Sequence, residues 1–115
     1  MNKSPINKEI IPLTVAELMW GITHADIQDM RSDDTEAQCM RQIIVNKLAE
    51  EGYTHKQISA IIDRSEITVQ VDIDIHEQEI EDGYEGYVEG VDAFDEMFDK
   101  IVRRRADKVL YELGN

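Results

Sequence analysis

Four side chains between positions 54 and 73 have the chemistry needed to contact a nucleic acid: Lys56, Arg64, Thr68 and Gln70. Lysine and arginine neutralise phosphates, whereas threonine and glutamine can hydrogen-bond to base edges. We expect Lys56 to touch phosphate and the other three to position the chain or contact bases. The four can act together only if this segment folds as two helices that meet at a sharp turn.

Side chains suited to catalysis are scattered by comparison. The three histidines, His24, His55 and His76, lie far apart, and Cys39 is the single cysteine. No Gly-rich phosphate loop, Ser-His-Asp set or Cys-His pair is visible, and the spacing fits no zinc site. We therefore expect a protein that is not an enzyme and that needs no metal or cofactor.

Helix signals run along most of the chain. Thr14 with Glu17, and Thr54 with Gln57, have the spacing of capping boxes. Ser65 suits an N-cap, and Gly52 suits a helix C-terminus. With the apolar spacing, these signals predict helices over 15–20, 24–30, 33 or 34 to 51, 55–62 and 91–113.

Residues 67–75 fit two structures. β-Branched residues alternate strictly with polar ones from Ile67 to Ile75, which is typical of a strand. A helix is also consistent, because it would place Val69, Ile73 and His76 on one stripe. We favour the helix because of the segment in which these residues lie.

That segment, 52–73, predicts two short helices that cross at a turn. Ile58 and Ile62 are one helical turn apart and would face the core, and Ser59 is small where the helices approach. Val69 and Ile73 would bury the inner side of the second helix. The residues left facing outward or to the flank would be Glu66, Ile67, Thr68, Gln70 and Val71. The fold class predicted for the chain is a small all-α domain.

The run from Gly52 to Ile73 resembles the helix-turn-helix domains of transposases, resolvases, sigma-like factors and phage small terminase subunits. These share G-Y-(S/T)-x-x-x-I-(A/S), then S-x-x-T-V-x-x-D-I after a short gap. The resemblance implies that the second helix contacts DNA in the major groove. It favours a regulator, or a DNA-packaging or replication accessory protein, of phage or mobile-element origin.

A weaker resemblance extends upstream, to the DNA-binding domain of the bacterial replication initiator DnaA. It is carried by short runs at 15–17, 26–27, 41–42 and 48–50, and by Arg31. The family's basic loop corresponds to 31–36, which is mostly acidic here. Its signature Arg-Asp-His-Thr-Thr-Val is matched at Arg64, Thr68 and Val69. The resemblance implies a DNA contact at Arg64 and at Thr68.

The charge distribution supports an alternative function. Thirteen of the 25 acidic residues lie in 65–99, where there is no lysine or arginine, and the net charge is −13. Such a chain repels polyanions. The alternative is an acidic protein-binding module or DNA mimic, whose face would comprise Glu66, Asp72, Asp74 and Glu77. Its partner would be a basic protein instead of double-stranded DNA.

The organisation predicted from these patterns has four parts: a flexible lead-in (1–12), a helix-turn-helix domain (13–80), a Gly-rich acidic hinge (81–90) and a C-terminal helix (91–115). The last part carries Arg103, Arg104 and Arg105, which could contact phosphate, and is a candidate for forming a homo-oligomer. With no long apolar run and a single thiol, we expect a cytoplasmic protein that does not enter a membrane.

Overall fold

Six helices make up the computed structural model, which describes residues 10–29 and 35–114. They are α1 (Ile11–Trp20), α2 (His24–Asp29), α3 (Thr35–Glu50), α4 (His55–Ile62), α5 (Glu66–Asp82) and α6 (Glu85–Leu113). The described residues contain no strand. The predicted all-α class is therefore confirmed. Most of the predicted lead-in, the aspartates proposed to cap α3, and Arg31 lie outside the described residues.

Helix α1 begins earlier than the capping box at Thr14 predicts. Its N-cap is Ile10, which makes no side-chain capping bond, and Pro12 lies in the first turn. A proline is well placed there because its fixed φ is helical and its missing N–H would have no partner inside the helix. Thr14 consequently lies inside the helix, and the capping box predicted with Glu17 was wrong.

The second capping box forms as predicted. The Thr54 hydroxyl accepts from the backbone N–H of Gln57 at 3.1 Å, and the Gln57 side chain accepts from the backbone N–H of Thr54 at 2.9 Å. Before it, Gly52 takes a φ of +96° where the chain leaves α3. These two features fix where α4 starts relative to α3.

We expect Thr54→Ala to lower the free energy of unfolding by about 1 kcal/mol, because the backbone N–H of Gln57 in the first turn of α4 loses the hydroxyl that accepts from it. Urea denaturation followed by circular dichroism measures this change. Thr35→Ala, at the exposed start of α3, is a comparison on another helix. Equal stability of wild type and Thr54→Ala would show that water replaces the box without loss.

Helix α5 decides between the two structures open for 67–75. Ser65 caps it by accepting from the Thr68 N–H at 3.2 Å. Its buried residues are Val69, Asp72 and His76, which share one helical face. The helix favoured for 67–75 is confirmed, and the β-branched residues at every second position supply it with an inner and an outer apolar side.

The hinge predicted over 81–90 was wrong for most of its length. The break between helices is confined to Gly83, with a φ of +69°, and Tyr84, which is the N-cap of α6. Gly86 and Gly90 are helical. The helix continues through them because Tyr87, just between, is buried in the core.

The core is a single cluster to which α1, α2, α3, α4, α5 and α6 all contribute. Phe94 of α6 is fully buried and contacts the Trp20 ring of α1, with centroids 5.4 Å apart. Lys47 of α3 forms an ion pair with Asp95 at 2.7 Å and lies over the Phe98 ring. The first half of α6 is therefore part of the same core, whereas every described side chain after Ile101 is exposed.

None of the helices in the described part of the chain combines the length and apolar character that crossing a bilayer requires.

Candidate functional site

The α4–α5 connection forms the tight turn predicted between the two helices. Asp63 adopts a left-handed conformation with φ +55°. The Arg64 backbone N–H donates to the Ser59 carbonyl at 3.1 Å, and the Ser59 hydroxyl donates to the Arg64 carbonyl. Ser59 therefore closes the turn by hydrogen bonding as well as by its small size. Ile58 and Ile62 are fully buried beneath it, as predicted.

Arg64 is held by backbone carbonyls at this turn. Its Nη1 donates to the Gln28 carbonyl at 2.9 Å and to the Asp63 carbonyl at 3.0 Å. Hydrogen bonds also join the side chains of His24 and Gln28 to the Ile61 carbonyl, at 2.7 and 3.2 Å. Arg64 thus ties α2 to the turn, and its guanidinium is oriented before any ligand binds.

The outward side of α5 is as predicted for its first two turns. Glu66, Ile67, Gln70 and Val71 are exposed, and Thr68 is half-buried. The Gln70 amide donates to Asp74 at 2.9 Å, and the Thr68 hydroxyl is 3.2 Å from the Ser65 hydroxyl. Both polar side chains predicted to contact bases are therefore near the surface, each with an intramolecular partner.

The four predicted contact residues are only partly brought together. Arg64 and Thr68 line one shallow cavity of about 340 Å³ between α3 and α5. Lys56, exposed on α4, and Gln70 are not among its lining residues. The three arginines of α6, at 103–105, lie on its exposed distal half.

An apolar stripe on α5 was not predicted as a surface, although Ile67 and Val71 were expected to face outward or to the flank. Ile67, Val71 and Ile75 are one helical turn apart and are 77%, 45% and 38% exposed. Together with Thr68 they flank the cavity that Arg64 lines. The stripe could have been predicted from the sequence. If 67–75 is taken as a helix, the alternating β-branched residues divide between its two faces, and Ile67, Val71 and Ile75 fall on the outer one.

Asp72 does not belong to the exposed acidic face. Both its carboxylate oxygens accept from the Arg41 guanidinium, at 2.7 and 3.0 Å, and the two residues are 1% and 6% exposed. The prediction that Asp72 is part of a protein-binding surface was therefore wrong. The α-helix turns Asp72 inward toward α3, whereas Glu66, Asp74 and Glu77 remain exposed. In the described part of the chain, no three acidic, histidine or cysteine side chains cluster as a metal site.

His76 and Tyr87 form a second buried polar pair, between α5 and α6. The His76 Nδ1 and the Tyr87 hydroxyl are 2.9 Å apart, and the rings meet edge to face. Burial raises the pKa of Tyr87 well above its ordinary value, so the hydroxyl keeps its proton. Burial lowers the pKa of His76, outweighing the opposing effect of Glu50, Asp95 and Glu77.

We expect this pair to make stability depend on pH. Because the folded-state pKa of His76 is depressed, the unfolded chain binds a proton more readily. The contribution of His76 to stability is fully present above the unfolded pKa of about 6.5 and is lost as pH falls from there through the depressed folded-state pKa. Between pH 7.5 and 5.5, the free energy of unfolding measured by urea denaturation should fall more for wild type than for His76→Gln. An equal fall in the free energy of unfolding for both proteins would contradict a buried neutral imidazole. His55→Gln is the control, because His55 is only half-buried.

In comparisons with known proteins, no family model, curated protein or solved structure matches the chain.

Proposed function

We propose that this protein binds double-stranded DNA through its helix-turn-helix unit, with the first two turns of α5 facing the bases. The observation that carries the proposal is the closed α4–α5 turn. It fixes the start of α5 relative to α4 and leaves Gln70 and Ile67 exposed. A glutamine amide can hydrogen-bond to adenine, and an aliphatic side chain can contact the thymine methyl group.

The placement of charge within the fold supports this orientation. From 54 to 71 the chain has two acidic residues, Asp63 and Glu66, and two basic residues, Lys56 and Arg64. Asp72, the next acid, is paired with Arg41 inside the domain. The surface proposed to face DNA is therefore balanced in charge, and the large acidic excess belongs to the later part of α5 and to α6.

A balanced surface predicts weak binding by a single copy, because duplex affinity depends on neutralised phosphates. The distal half of α6 supplies Arg103, Arg104 and Arg105 as further phosphate contacts. Its exposed Val109 and Leu110 offer a surface for a second copy, which would raise avidity. On this proposal the protein acts as a homo-oligomer in the cytoplasm.

The test is a titration of a fluorescein-labelled random-sequence duplex pool at 50 and 150 mM salt, followed by sequencing of the bound fraction. We expect binding that weakens steeply with salt and an enriched sequence. Gln70→Ala should alter the enriched sequence, whereas Lys56→Ala should weaken binding to all sequences alike.

Gln78→Ala is the matched control, because Gln78 donates to Asp82 at 2.9 Å with the spacing that Gln70 has to Asp74. It lies on the same helix, outside the proposed interface. If Gln70→Ala and Gln78→Ala select the same sequence, α5 does not contact bases as proposed. Absence of binding at 50 mM salt would remove the DNA-binding proposal altogether.

A second candidate function is favoured by the apolar stripe Ile67, Val71 and Ile75. Three aliphatic side chains in line on an exposed helix, flanked by Glu66 and Asp74, suit a protein partner that is apolar at its centre and basic at its rim. The module would then occupy a basic surface that otherwise binds nucleic acid. A basic DNA-binding protein is the partner that this charge pattern fits.

Val71→Lys separates the two functions. A lysine on the outer side of α5 should strengthen binding to the duplex pool, since it adds a phosphate contact. The same change should abolish docking of a basic protein, since it interrupts the apolar stripe and places a positive charge against a basic partner. The charge reversals Glu66→Lys, Asp74→Lys and Glu77→Lys extend this comparison of DNA and protein binding. If these changes leave binding to a basic partner intact, the acidic surface is not its docking site.

A further inference from the structure

A cavity of about 510 Å³ lies where α1, α3, α5 and α6 meet, away from the α4–α5 turn. It is lined mainly by apolar and aromatic side chains: Trp20 from α1, Met40 and Ile43 from α3, and Tyr87 from α6. Its volume falls within the range of small-molecule sites, about 300–1,000 Å³.

Two glycines of α6 keep one wall of this cavity open. Gly86 and Gly90 are one helical turn apart and both line it. A methyl group on Gly90 would meet Ile43 Cδ1 at 3.7 Å, and one on Gly86 would meet Tyr84 Cε1 at 3.8 Å, which are ordinary contacts. The fold therefore does not require glycine at either position. Gly90, in the helix interior, costs the helix about 1 kcal/mol relative to alanine, so this wall is kept open at the expense of stability.

The polar groups of the cavity are acidic. Glu36 and Glu79 line it, and no lysine, arginine or histidine is among its described lining residues. Burial and the charges of Glu79 and Glu36 raise the pKa of the Cys39 thiol, which also lines the cavity. The thiol therefore stays protonated and does not offset the two carboxylates. The site is complementary to a ligand that is apolar at one end and cationic at the other.

We propose that this cavity binds a small amphipathic amine, with an aromatic ring among Trp20, Met40 and Tyr87 and a protonated amino group facing Glu36 and Glu79. Aromatic walls favour a flat ring, and ring faces also attract cations. The Tyr87 hydroxyl is occupied by His76, so the ammonium is left to the carboxylates. This site is separate from the first two turns of α5 and does not depend on the proposed DNA binding.

The test uses 2-phenylethylamine as the probe and 3-phenylpropionate, which carries a similar ring and the opposite charge, as the matched control ligand. Trp20 is the only tryptophan in the chain, so its fluorescence reports directly on the cavity. Calorimetry gives the dissociation constants independently. We expect the amine to bind at least about tenfold more tightly than the carboxylate at pH 7.

Two variants locate the binding. Gly86→Leu should abolish amine binding by filling the cavity, whereas Ala93→Leu, which places the same side chain on the exposed side of α6, should leave binding unchanged. Glu79→Gln should lower the affinity for the amine about threefold to fivefold. Glu77→Gln should leave it unchanged, because Glu77 is exposed and does not line the cavity. If Gly86→Leu fails to fold, Gly86→Ala takes its place with a smaller loss. Equal affinity for amine and carboxylate, binding that survives cavity filling, or no binding at 10 mM amine overturns the proposal.

Discussion

Replacing Asp72 by alanine is expected to lower the free energy of unfolding by about 3–5 kcal/mol. The change leaves the Arg41 guanidinium charged and buried, with neither of the carboxylate oxygens that now accept from it at 2.7 and 3.0 Å. Removing one partner of a buried pair is far more costly than removing both, since an uncompensated charge remains in the interior. Urea denaturation followed by circular dichroism measures the loss.

Asp74→Ala is the control for this prediction, because Asp74 is an exposed aspartate two residues along the same helix. Its effect should stay within about 0.5 kcal/mol. The double variant Arg41→Met with Asp72→Leu should regain most of the stability, because it removes both charges and keeps the volume. If Asp72→Ala is as mild as Asp74→Ala, the pair is solvated and does not join α3 to α5 in the interior.

The second large effect is expected from Phe94→Ala, with a loss of about 3–5 kcal/mol. Phe94 is fully buried and packs on Trp20, so its removal leaves a cavity between α1 and α6. Chemical denaturation gives the free energy, and a shift in Trp20 fluorescence in the folded state reports the loss of the ring contact.

Val109→Ala on the same helix is the matched control, since Val109 lies in the exposed distal half of α6. It should change the stability of the isolated chain by no more than about 0.5 kcal/mol. A similar effect of the two substitutions would mean that α6 is not anchored on α1. A concentration-dependent effect of Val109→Ala alone would instead place that residue in an interface between copies.

The pair of helices α4 and α5 was the part most open to sequence prediction because its signals are local. The Thr54–Gln57 box and the Ser65 cap act over three residues, and Ile58 and Ile62 follow one helical period. Local hydrogen bonds and periodicity can be recognised without knowing what packs on them. The capping box predicted at Thr14 was wrong because α1 begins earlier, at Ile11, with Pro12 in its first turn.

The sequence by itself therefore determined the helical class, the turn between α4 and α5, and the acidic excess of 65–99. Only the tertiary structure decided which charges remain at the surface. Asp72 and Asp74 are aspartates two positions apart in the same alternating run. Asp72 is nevertheless buried against Arg41, 31 positions away, whereas Asp74 is exposed. The tertiary structure also decided that Gly86 and Gly90 belong to a helix and line a cavity. These outcomes depend on contacts between residues distant in the chain, which local propensity does not encode.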